Sequence, residues 1–107
     1  MAEARNKKVL IVDNDEQEAR TLGVMLQDAG YDSSITWSGL EALETLKSAR
    51  FDILLVSSYL PDLYVGEFFE RLSRLPVKPC SIVMNERRPP AATVLEMKSM
   101  IREEKRQ

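Results

Sequence analysis

Three short groups hold the side chains best suited to chemistry, and each follows an apolar run: Asp13-Asn14-Asp15, Ser57-Ser58 and Met84-Asn85. Carboxylate and amide oxygens set side by side suit a hard, oxygen-ligated cation such as Mg2+. Asp and Asn are equally suited to capping a helix that begins just after them, and both readings fit Asp13 to Asp15. A serine hydroxyl such as that of Ser57 or Ser58 accepts a transferred group only with a general base beside it. The 107 residues include no histidine and one cysteine, Cys80, so no internal disulfide can form and cysteine–histidine metal sites are nearly excluded. Cys80 itself reads as an inert small core residue.

The elements that must position these groups can be read from the hydrophobic pattern. Val9 to Val12 and Ile53 to Val56 are uninterrupted apolar runs, too short for helices and without alternation. They read as strands buried on both faces, as in a parallel sheet. Asp15 with Glu18, and Ser38 with Glu41, are spaced as capping boxes that start two helices. The first carries Ala19, Leu22, Met25, Leu26 and Ala29 and ends at Gly30; the second carries Leu40, Leu43 and Leu46. Tyr31 to Thr36 is polar enough for an edge strand. A third helix is predicted over Gly66 to Leu75 with Phe68, Phe69, Leu72 and Leu75 inward, and a fourth strand over Ser81 to Met84. Pro89-Pro90 opens a terminal helix over residues 89–105, lined by Val94, Met97 and Ile101. The order βαβαβαβα specifies one three-layer α/β domain over residues 1–107, with right-handed crossovers.

Composition narrows the functional classes. The chain is 44% hydrophobic and 30% charged, with a net charge of −2. That balance suits a globular domain and argues against non-specific nucleic-acid binding. No apolar run is long enough for a membrane span, and the polar start, Met1 to Lys8, lacks a signal core; a cytoplasmic location is expected.

Four pieces in order resemble one family. Val9 to Arg20, VLIVDNDEQEAR, is similar to the opening of response-regulator receiver domains (the CheY-like group). Gly30-Tyr31 followed by Trp37 to Leu43, and Phe51 to Val56 followed by Leu60-Pro61-Asp62, match that family's second and third strand regions. The resemblance spans residues 7–85. It implies a flavodoxin-like sandwich with a parallel sheet of about four strands in the order 2-1-3-4, and with the family's fifth strand missing. It also implies a site in which a carboxylate ending the third strand takes a phosphoryl group, beside Mg2+ held by two further acidic residues.

Aligned residue by residue, the first acidic position is Asp13, the second is Asn14 and the phosphoacceptor is Ser57. The hydroxyl position falls on Met84 or Asn85, and no strand ending in Lys-Pro follows. Arg88-Pro89 is a candidate relic of that pair, which would make the last helix the family's fifth; the run Pro79 to Val83 favours a fourth strand followed by a fourth helix. With two of three carboxylates replaced, at most weak Mg2+ binding is expected and no other cofactor. The expectation is a non-enzymatic interaction module that works without phosphorylation. Its partner would be a histidine kinase, another regulator or a second copy joined through the exposed sheet edge. The alternative is an active receiver that takes a phosphoryl group with Mg2+ at an atypical site. Trp37 and Tyr59 are the candidate interface aromatics, each balanced by a plainer reading: Trp37 as loop packing and Tyr59 as an exposed loop residue.

Overall fold

The computed structural model describes residues 7–76, 79–85 and 89–106. In chain order the elements are β1 (Lys8–Val12), α1 (Glu16–Asp28), β2 (Asp32–Thr36), α2 (Gly39–Ser48), β3 (Ile53–Ser57), α3 (Val65–Leu72), β4 (Cys80–Met84) and α4 (Pro90–Arg106). All strand pairs are parallel and the sheet order is β2-β1-β3-β4, as the sequence implied. Arg88, the candidate relic, and the charged end beyond Ile101, expected to be solvated, lie outside the described side chains.

Strand alternation divides the core into two halves. Val9, Ile11, Ile53, Leu55, Ile82 and Met84 face α1 and α4, while Leu10, Val12, Leu54 and Val56 face α2 and α3. Because β1 and β3 are buried on both faces, neither strand shows a polar–apolar alternation in sequence. The helices lie two on each face. Right-handed crossovers require α1 on one face and α2 on the other, because the chain reverses direction across the sheet between them. The β3-to-β4 step continues in the same direction as β2-to-β3, so α3 joins α2.

The terminal helix departs from the favoured reading. A helix crossing outward from β4 to a further strand would lie beside α3 by the same handedness. Instead α4 returns to the first face and packs Val94 and Met97 against α1 and the sheet. It closes the sandwich as a final helix, as the alternative with Arg88-Pro89 implied. Its buried Thr93 joins that face.

Local signals account for most element ends. Asp15 caps α1 by accepting from the Glu18 amide at 3.1 Å, while its own N–H donates to Asp13 Oδ1 at 3.0 Å. In α2 the Ser38 hydroxyl accepts from Glu41 N–H, and Glu41 Oε1 reaches back one residue further than expected, to Trp37 N–H at 2.7 Å. At the end of α1, Gly30 has φ 94° while its N–H donates to Gln27 O and that of Tyr31 to Leu26 O. This is a Schellman turn, and the left-handed residue in it has no cheap substitute. Gly30→Ala is expected to lower stability by about 1 kcal/mol, read as a shift of the urea midpoint at unchanged slope. An unchanged midpoint would contradict it.

Three details differ from expectation. Leu40 is 49% exposed, and Ala42 rather than Leu40 joins Leu43 and Leu46 in the core. The third helix stops at Leu72, with Leu75 packing from beyond its end. Cys80 is only partly buried, at the start of β4.

Candidate functional site at the carboxyl end of the sheet

Strand register brings the three groups into one row. Val12 is level with Val56 and Ser57 with Met84, so Asp13, one step past Val12, stands level with Ser57. Alternation points Asp13, Ser57 and Met84 toward the α1/α4 side. The Asp13 amide extends the ladder by donating to Thr36 O, and the Ser58 amide does the same toward Met84 O at 2.8 Å. These bonds fix the row against the sheet.

The occupants of the row are mostly committed to structure. Asp13 is 2% exposed; its Oδ1 accepts from the Asp15 amide at 3.0 Å, while its Oδ2 is buried with no hydrogen-bond partner among the described residues. Asn14 turns away from the row, and its Nδ2 donates to the Trp37 carbonyl at 3.2 Å. The Ser57 hydroxyl accepts from the Tyr59 amide at 3.2 Å, a turn contact that shapes the strand exit. Met84 is 3% exposed and belongs to the core, whereas Asn85, one step beyond, is exposed. Of the two candidates for the hydroxyl position, Met84 is the residue level with Ser57.

The donor set is a poor fit to Mg2+. Among the described residues no three Asp, Glu, Cys or His side chains converge as a metal-binding group. Asp13 brings one carboxylate to the row, Asn14 directs its amide elsewhere and Ser57 brings a neutral hydroxyl already used in a turn. A hard dication needs more anionic oxygen than this to shed its water.

Both candidate interface aromatics border the site. Trp37 is half-buried, packs against the α1/α4 half of the core and receives the Asn14 strap on its carbonyl. Tyr59 is 70% exposed on the loop after β3. That loop and the first turn of α3, from Ser58 to Glu67, curl round an open concavity of about 520 Å3.

Asp62 is the residue that sequence reasoning left unassigned. From the loop after β3 it grips the start of α2, accepting from Gly39 N–H and Leu40 N–H at 2.9 Å each. These are two of the amides that a helix start leaves without an intrahelical partner. A side chain at Gly39 would meet Leu63 Cδ1 at 3.0 Å and Asp62 Oδ1 at 3.3 Å, so glycine permits the close approach. Partial desolvation pushes the Asp62 carboxyl upward, but the Leu40, Gly39 and own-residue amides and the Ser38 hydroxyl outweigh it, holding the group below its ordinary value.

A depressed carboxyl stabilises the fold above the unfolded-state value and loses that contribution as pH falls through the folded one. Asp62→Ala should cost about 1 kcal/mol at neutral pH, by analogy with helix caps, with the deficit shrinking in acid. Urea midpoints of both proteins from neutral pH downward would check this; a deficit constant to the most acid pH would contradict the carboxylate's role.

No protein-family model matches the sequence. The chain is 33% identical over 69 residues to a response regulator receiver protein of Anaeromyxobacter, a match covering 64% of the chain and 29% of that relative. It is 30% identical over 57 residues to the DNA-binding response regulator MtrA of Mycobacterium tuberculosis, covering 53% of the chain and 25% of MtrA. The chain thus spans less than a third of the length of these curated relatives.

Solved structures share the fold. A CheY-like receiver domain from Methanospirillum hungatei superposes with a TM-score of 0.80 at 20% identity, covering 94% of this chain and 97% of that one. The chemotaxis regulator CheY4 of Vibrio cholerae gives a TM-score of 0.71 at 20% identity, over 87% and 97% of the two chains. The matched stretch is thus similar in sequence to response-regulator receiver proteins, and the chain shares the fold of CheY-like receiver domains.

Proposed function

We propose that the chain acts in the cytoplasm as a phosphorylation-independent receiver domain, a non-enzymatic module that signals by binding another protein. The observation that carries this reading is the Asp13–Ser57–Met84 row, level with the strand ends where the resemblance places acceptor, metal ligand and hydroxyl. Phosphoryl transfer is mostly positioning and charge neutralisation, and the row offers one buried carboxylate, a hydroxyl bound in a turn and a thioether in the core. The Ser57 hydroxyl would need a base to become a nucleophile. Asp13 would have to serve as that base while also holding the metal.

The partners that suit such a module are a histidine kinase, another regulator or a second copy of the chain. Helix α2 and the loop after β3 offer exposed apolar surface at Leu40, Tyr59 and Tyr64.

Trp37, tied through its carbonyl to Asn14, reports on the site. Titration with Mg2+ to about 10 mM, well above the millimolar range of weak sites, should leave its fluorescence unchanged. A saturable change, abolished in Asp13→Asn, would contradict the reading and favour the Mg2+-dependent alternative.

A further inference from the structure

Resting on the reading of the chain as a binding module, we propose that β4 is a self-association edge, pairing antiparallel with β4 of a second copy about a two-fold axis at Ile82. The two edges of the sheet differ in a way that favours pairing at one of them. The β2 edge reads Asp-Ser-Ser-Ile-Thr, with Asp32 and Ser34 exposed, while β4 reads Cys-Ser-Ile-Val-Met, with no charge and no proline. Charges, prolines and bulges are the usual devices that keep an edge from pairing, and β4 carries none of the first two. Among the described residues no strand pairs with its outer side.

Backbone direction identifies the groups on offer. Cys80 N–H donates inward to Asp52 O, and Met84 O accepts inward from Ser58 N–H. Parallel strands alternate in which residues turn toward a given neighbour. Ile82 therefore also turns inward, and Ser81 and Val83 present their N–H and C=O groups to the open side.

A two-fold axis at Ile82 sets Ser81 against Val83 of the second copy, and Val83 against its Ser81. Each such pair exchanges both backbone hydrogen bonds, and the facing Ile82 residues form the non-bonded pair between them. A second copy fits this edge for two reasons. An uncharged strand places no like charges opposite themselves under a two-fold, and like charges so placed are destabilising. The side chain left uncovered is also apolar: Ile82 and Met84 are buried under α4, while Val83 faces the α2/α3 side at 45% exposure. In the pair, Val83 packs on its symmetry neighbours.

A single added strand buries less than the roughly 1,600 Å2 of a standard interface, so association is weak, with a dissociation constant on the order of 100 μM. Sedimentation of the full chain from about 10 μM to about 1 mM, a range spanning that constant, should take the mass from 12.2 kDa toward twice that value. Over the same range, amide exchange at Ser81 and Val83 should slow severalfold, while the inward Ile82 amide stays protected throughout.

Val83→Lys should remain monomeric with Ile82 still protected, which shows that it is folded. Val24→Lys, at another exposed apolar site, should associate as the parent does. A parent that stays monomeric throughout, or a dimer that survives Val83→Lys with the Ser81 and Val83 amides unprotected, would overturn the assignment. A chain that dimerises in this way yet also takes up a phosphoryl group would keep the edge and lose the binding-module reading.

Discussion

Phe68→Ala should lower the unfolding free energy by about 3–5 kcal/mol, the largest loss expected from any single truncation in this chain. The ring is fully buried on α3, within the cluster formed by Leu10, Leu46, Leu54 and Leu72, and meets Phe69 edge-to-face at 5.4 Å and 85°. Removing it costs the transfer of the aromatic side chain and leaves a cavity that two flanking helices and a sheet cannot close. Domains of this size hold only about 5–15 kcal/mol in total, so the variant would stand near the edge of folding. Phe69→Ala, at a half-buried ring on the same helix, should cost visibly less. Urea denaturation of both would check the order. A loss below about 1 kcal/mol at Phe68 would mean that α3 is not seated as described.

The second large effect concerns the row at the strand ends. Ser57→Asp sets a carboxylate level with the buried Asp13 on the adjacent strand. At the roughly 5 Å spacing of neighbouring strands and an effective dielectric near 20, two such charges repel by about 3 kcal/mol. Relaxation and solvent reduce this, so a destabilisation of about 1–3 kcal/mol is expected in the absence of divalent cations. The same pair of carboxylates attracts a hard dication, so Mg2+ at millimolar concentration should restore most of the loss. The parent should show no such recovery. Denaturation of parent and Ser57→Asp, each with Mg2+ and with a chelator, separates the outcomes. An equal Mg2+ response in both proteins would show that the parent row already holds the ion.

Much of this arrangement was legible in the sequence because local chemistry and burial agree. Val9 to Val12 and Ile53 to Val56 are buried on both faces, and such strands announce themselves as unbroken apolar runs. Gly30 marked the end of α1 because only glycine suits the left-handed turn there. The placement of Asp13, Ser57 and Met84 followed once these strands were placed, since parallel register carries one strand end to the next.

What escaped the sequence depends on distant partners. Asp62 caps a helix that begins 23 residues before it, and no local pattern signals such a contact. Leu40 has the helical spacing of a core residue but lies in the first turn of α2, where the exposed rim begins; Ala42 packs in its stead. The face chosen by α4 was equally hidden. Its apolar stripe fits either side of the sheet, and only the closing of the first face against α1 decides the matter.

On the proposed reading this receiver-like chain takes no phosphoryl group. The most direct test is the intact mass of the protein, followed at short intervals with Mg2+ and a small acyl-phosphate donor, beside a working receiver domain treated in the same way. The mass of this chain should stay unchanged while the working domain gains one phosphoryl group. A gain of one phosphoryl group by this chain, mapped to Ser57 or Asp13, would contradict it.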